Sequence, residues 1–214
     1  MPNESENRRS TISNIRKMLS QAEKGGVQNT IQNCVTVLQN DPVLADSIRL
    51  NLLSERIDIV KPMGWQRSGP TLTDTDMMYI LRRMEKYGLH SEKRVSAAIR
   101  IVANENHYHP IRDYLNDLKW DGTERISHAL HRFLGAAEDE LTAEALKIFL
   151  LGAIKRVFHP GCKFEMMLCL VGGQGAGKSS FFRLLAIKDE WFSDDLRRMD
   201  DDNVFRKLQG HWIM

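Results

Sequence analysis

The sequence points to an α+β to α/β chain: a mostly helical N-terminal module with a small β-hairpin, then the start of a parallel sheet of the phosphate-binding-loop type. Apolar residues recur at helical spacing over most of the first 135 positions. Two short runs near 48–60 alternate apolar and polar residues instead. Finally, the apolar run Phe164-Glu165-Met166-Met167-Leu168-Cys169-Leu170-Val171 leads into a glycine-rich loop and a further helical pattern. That order of strand, loop and helix belongs to nucleotide-binding α/β domains.

Residues 1–10 are polar and charged and read as a disordered lead. From Thr11 to Glu23, Ile12, Ile15, Met18 and Leu19 share one helical face, and Gly25-Gly26 breaks the pattern. Val27 to Leu38 resumes it with Ile31, Cys34, Val35 and Leu38, until Asn40-Asp41-Pro42 stops it. Ile48–Leu52 and Arg56–Val60 alternate, and Leu53-Ser54-Glu55 is short enough to join them as a hairpin. Pro62 to Pro70, with Trp65, reads as a loop.

Thr73 is a helix cap, with Asp76 three residues on as the weaker partner of a capping box. Met77, Ile80, Leu81 and Met84 line that helix and Gly88 ends it. Ser91 caps the next, with Arg94 where a capping box has an acid, and its core face is Val95, Ala98, Ile99 and Val102. Pro110 suits the first turn of a helix over Ile111 to Leu118. Trp120-Asp121-Gly122 reads as a turn with a packed tryptophan, and Thr123 opens a helix to about Leu134. Thr142 to Phe158 is apolar around much of its surface and reads as a buried helix, stopped by His159-Pro160-Gly161. The helical module therefore runs over 11–135, and an α/β domain begins over 136–214.

Composition bounds the function loosely. The chain has 214 residues and a formal net charge of +2, which is ordinary for a globular protein and selects no partner. Cys34, Cys162 and Cys169 are scattered, and neither they nor the histidines have metal-ligand spacing. No apolar run reaches the ~18 residues of a membrane span, and the N-terminus has no apolar signal core. The expected location is a reducing cytoplasm, without a membrane partner.

The chemistry concentrates in Gly172-Gly173-Gln174-Gly175-Ala176-Gly177-Lys178-Ser179, the full G-x-x-x-x-G-K-[ST] pattern known as Walker A. Glycines let backbone N–H groups turn inward around phosphates, and a helix starting near Gly177 adds the positive end of its dipole. Lys178 is placed to reach β- and γ-phosphate oxygens and is the candidate catalytic residue. Ser179 is placed to hold Mg²⁺ through its hydroxyl, and Ser180 completes the binding set. The expected ligands are ATP, or another nucleoside triphosphate, and Mg²⁺. The competing reading is a plain turn with Lys178 solvated, but such a turn does not require Lys-Ser after the last glycine.

Hydrolysis needs more: a carboxylate at the end of a second strand, beside the metal. Asp200-Asp201-Asp202 is acidic, but Leu196-Arg197-Arg198-Met199 before it is not an apolar strand. Trp212-Ile213-Met214, after the turn residues Gln209-Gly210, resembles the first half of one. The expectation is a truncated nucleotide-binding domain whose apolar sheet edge would be exposed. Arg82, Arg83, Lys86, Lys93, Arg94 and Arg100 are candidates to neutralise DNA phosphates. Glu85, Glu92 and Glu105 are interspersed, so a solvated mixed-charge face competes with that reading.

Tyr108-His109-Pro110-Ile111-Arg112-Asp113-Tyr114-Leu115-Asn116-Asp117-Leu118-Lys119-Trp120-Asp121-Gly122-Thr123-Glu124-Arg125-Ile126 resembles the signature of the virulence-associated E family of prophages and pathogenicity islands. Asn40-Asp41-Pro42 through Ile57-Asp58-Ile59, Trp65 and Thr71–Asp76 resemble its upstream region. Phe192–Leu196 and Leu208–Ile213 resemble its stretch after the loop, so the likeness spans roughly residues 30–214. The resemblance implies an ATPase domain like the AAA+ and superfamily-three helicases of phage replication. It also implies a role in mobile-element DNA replication, DNA (single-stranded or origin) as partner, and self-assembly into a ring in the complete form. It carries Gly172 to Ser179 over as the ATP and Mg²⁺ site. The family's second acidic motif would lie past Met214, so the resemblance implies ATP binding and leaves hydrolysis by this chain open. Two other classes stay open: a non-catalytic DNA- or protein-binding module over 11–135 with a vestigial loop, and a nucleotide kinase, which would need a lid and a substrate-binding acid after the loop.

Overall fold

The computed structural model describes residues 12–195 and 209–214. The lead over 1–10, the acidic run Asp200-Asp201-Asp202 and the stretch Leu196–Met199 before it lie outside the described residues. The described residues up to Tyr108 form one compact unit and those from His109 a second. No helix among them is long and apolar enough to cross a membrane.

The first unit comprises α1 (residues 12–18), α2 (Ile31–Asn40), β1 (Ile48–Asn51), β2 (Arg56–Ile59), α3 (Asp74–Met84) and α4 (Glu92–Glu105). α4 packs on α2 and on β1. The core they enclose includes Leu38, Ile48, Ile80, Met84, Val95 and Ile99, all essentially inaccessible to solvent. Fully burying an aliphatic side chain of this kind stabilises by roughly 1.5–3 kcal/mol, so this cluster is what holds the unit together.

The hairpin forms as expected, with Ile48 opposite Ile59 and Leu50 opposite Ile57. Glu55 takes a left-handed φ of 54° in the connection. Both outer edges carry a short pairing: Leu52 N–H donates to the Tyr108 carbonyl at 2.9 Å, and Ile59 N–H to the Pro70 carbonyl at 2.8 Å. α3 carries both bonds of the capping box, Asp76 N–H to the Thr73 hydroxyl and Thr73 N–H to Asp76 Oδ2. Gly88 ends the following turn at φ 82°, in the left-handed region that only glycine adopts without strain.

One helix start in the first unit differs from the sequence expectation. α1 ends at 18 and α2 begins at Ile31, not Val27, because Val27 bridges Gln21 across the Gly25-Gly26 turn. The Thr30 hydroxyl then caps α2 by accepting from Asn33 N–H at 3.1 Å. Ser91 sits at the start of α4, but its hydroxyl makes no capping bond. Further differences belong to the second unit.

That unit comprises α5 (Pro110–Asp117), α6 (Ile126–Leu134), α7 (Glu140–Phe158) and α8 (Lys178–Leu185). α6 begins at Ile126, not Thr123. Asp121 accepts from Thr123 N–H at 3.0 Å and takes two bonds from the Arg125 guanidinium, at 2.9 and 2.6 Å, holding those residues out of helical form. α7 starts two residues earlier than expected because Asp139 caps it through Thr142 N–H. It is also far less buried than expected: Leu146, Gly152 and Val157 are buried, while Leu141 and Leu151 are exposed. Its packed stripe meets Leu130 of α6 and Phe181 of α8 in a small core.

The run 164–171, expected as a buried strand, forms no ladder with any described residue. Its burial alternates only from Met167 on, since Met166, on the face of Phe164 and Leu168, is 59% exposed. Phe164, Leu168 and Leu170 are half-buried, while Met167 and Val171 are 82% and 97% exposed. Leu168 and Leu170 join the α6–α7–α8 cluster. A strand is defined by pairing as well as by extension, so one packed face gives extended chain without a sheet. Further on, Phe192 and Ile213 pair in a single parallel bridge, with Ser193 N–H donating to the Ile213 carbonyl at 3.1 Å.

Candidate functional site

The 172–179 loop is placed by what flanks it. Leu168 and Leu170 tie the incoming chain to the core, and Phe181, on the first turn of α8, ties the outgoing helix to the same core. Gly175 and Gly177 adopt φ of 83° and 78°. A side chain at either position would be strained by the backbone alone. Gly177 is the residue before α8, so the loop delivers the chain directly into a helix N-terminus. The first N–H groups of a helix have no carbonyl a turn before them, and they point at whatever lies there.

Lys178 folds back over the loop. Its Nζ donates to the carbonyls of Gly172 at 2.9 Å and Gly173 at 2.7 Å. The ammonium is thus held over the loop by the loop's own carbonyls. Ser179 and Ser180 are exposed on the first turn of α8, as are Gln174 and Ala176 in the loop. A cleft of about 320 Å³ opens beside Lys178, walled by Leu134, Leu141, Thr142, Leu170, Gly172 and Ala176. No Asp or Glu is among its lining residues, and no cluster of three or more metal-ligating side chains occurs among the described residues.

A second hollow of about 450 Å³ lies along α8. Gly177 and Ser180 form part of its wall, with Ile126, Ala129, Phe133 and Leu184. It is almost wholly apolar, and Phe133 and Leu184 are 66% and 76% exposed on its rim. Spacing alone gave no sign of it, since Phe133 and Leu184 lie far apart in the chain.

The structure sorts the six basic candidates of the first unit. Arg83 donates through Nε to Asp41 Oδ1 at 2.5 Å and is a structural ion pair. Arg94 bonds the Asn29 carbonyl. Arg82, Lys86, Lys93 and Arg100 are exposed, without an ion pair among the described residues. The expected packing of the Trp120-Asp121-Gly122 turn is wrong in one respect. Trp120 is 82% exposed, and the turn is held by Asp121 and Arg125 instead. The Arg125 guanidinium, with the Thr123 N–H, keeps the Asp121 carboxyl well below the usual carboxylate range.

Residues 115–214 match the family model of the virulence-associated protein E-like domain. The match begins within α5 and takes in α6, α7, the glycine loop and α8. No curated protein matches the chain.

Proposed function

We propose that the second unit binds ATP with Mg²⁺, and that the chain is a helicase-like protein of the virulence-associated E family, serving replication of mobile-element DNA. The observation that carries the nucleotide reading is the loop itself: two left-handed glycines, a helix N-terminus, and Lys178 Nζ held 2.9 and 2.7 Å from two loop carbonyls. Phosphate oxygens offer that ammonium charged acceptors in place of neutral ones, so Lys178 turns from the carbonyls to the β- and γ-phosphates. Gly172 to Gly177, with Gln174 and Ala176, supply the backbone cradle. Ser179 supplies the hydroxyl to Mg²⁺, which would neutralise phosphate charge there, and Ser180 lies against the nucleoside. The apolar hollow at Ile126, Phe133 and Leu184 takes the base.

This reading concerns binding. Hydrolysis would call for a carboxylate beside Ser179, and assembly into a ring and a DNA partner rest on the family likeness. The test is a titration of the full chain with a fluorescent ATP analogue in Mg²⁺, on wild type and Lys178→Ala. Saturable binding weakened at least tenfold by the substitution is expected. No affinity in wild type, or equal affinity in both, would overturn the reading.

A further inference from the structure

The first unit, which lies outside the matched residues 115–214, carries a cleft that the glycine loop does not account for. Trp65 and Tyr79 stack face to face, with ring centroids 4.8 Å apart and planes within 7°. They wall a cleft of about 210 Å³ with Gly64, Arg82, Arg83 and Lys86, and no carboxylate is among its lining residues. A Cβ on Gly64 would meet nothing within 4 Å, so the wall beside Trp65 is open.

The platform is braced from below. Trp65 Nε1 donates to Asp76 Oδ1 at 2.7 Å, and Arg67 holds the same carboxylate at 2.8 Å. Arg83 is fixed to Asp41, which also accepts from the Tyr87 hydroxyl at 2.6 Å. Both buried acids are therefore already neutralised by their own arginines. Arg82 and Lys86, one helical turn apart on the rim, have no such partner among the described residues. Tyr79 is 39% exposed, a large aromatic left partly open to solvent beside these two cations.

We propose that this cleft binds single-stranded nucleic acid, one base stacking on the Trp65–Tyr79 platform and the flanking phosphates lying on Arg82 and Lys86. Stacked rings extend a π-face to any base, and lone cations track a backbone without reading sequence. A duplex keeps its base faces against each other, so it offers this cleft only phosphates. Nucleotide binding in the second unit is not needed for this activity.

The experiment is fluorescence anisotropy of the full chain with labelled oligo-dT, oligo-U and a duplex of equal length, across a salt series. Either single strand should bind more tightly than the duplex, and the tighter of the two identifies the natural polymer. Tyr79→Ala should weaken single-strand binding about tenfold, the loss of one stacked base, while Tyr79→Phe should retain it. The double variant Arg82→Ala/Lys86→Ala, on exposed positions, should flatten the slope of log K against log salt by about 1.4, two phosphates at about 0.7 each. Thermal melts would show that each variant is folded. Absence of single-strand binding, equal or tighter duplex binding, or folded variants that bind like wild type would overturn the proposal.

Discussion

Asp41 in the first unit and Asp121 in the second each hold an arginine, and they do different work. The Asp41 side chain is 1% exposed and collects Arg83, the Tyr87 hydroxyl and the N–H groups of Val43 and Leu44. The Asp121 side chain is 55% exposed and serves one turn, four residues from its partner. A buried carboxylate costs much to desolvate and is tolerated only when nearly every lone pair is used. An exposed one keeps water as an alternative partner, so its ion pair shapes the chain locally and adds little stability. The first unit is thus braced internally, while the second keeps its charged groups at the surface, around a glycine loop.

That contrast can be broken by substitution. Asp41→Ala strands Arg83 and the Tyr87 hydroxyl beneath the surface, and a loss of about 3–5 kcal/mol in urea unfolding is expected. A loss below ~1 kcal/mol would mean that water replaces the carboxylate there. Asp76 gives the same test with pH. Burial pushes its carboxyl up, but the bonds from Arg67, Trp65 and Thr73 together outweigh that and hold it well below the usual carboxylate range. A depressed folded value means that the stabilisation is present above the ordinary value near 4 and is lost as pH falls below it. Stability of the wild type should fall with acid in that window, and Asp76→Asn should be less stable at neutral pH with a flatter acid limb.

Smaller effects are expected in the second unit. Gly152→Ala places a methyl group against the Phe164 ring, which must leave its seat. About 1–3 kcal/mol is expected in a melt. Leu184→Glu, on an exposed rim, should leave the melting temperature within a degree or two while weakening ATP-analogue binding several-fold. Unchanged binding would move the base out of that hollow. Asp121→Asn, at an exposed pair, should leave the melting temperature close to that of the wild type.

The parts of the fold legible in the sequence are those set by neighbours in the chain. The hairpin follows from alternation and a short connection, the α3 cap from Thr73 and Asp76, and the loop glycines from the pattern that needs them. What escaped depends on distant partners. Arg82 and Arg83 are adjacent and chemically alike, yet only Arg83 meets Asp41, 42 residues away. Nothing local distinguishes them. The run 164–171 has a strand's apolar composition, but pairing is decided elsewhere in the chain. Trp120 reads as packed against its turn by residue type alone, whereas the bonds that hold the turn come from Asp121. The apolar hollow along α8 was invisible for the same reason, being assembled from three helices.

Phe164 seats against the bare backbone of Gly152, and this works as a ruler. The ring fits one notch on α7, and its sequence neighbours Lys163 and Glu165 are charged and paired with each other in solvent at 2.7 Å. Sliding the chain by one residue in either direction would push a charge into the notch. The span from that notch to Gly172 is therefore a fixed number of residues, and the glycine loop follows α7 after that length of chain.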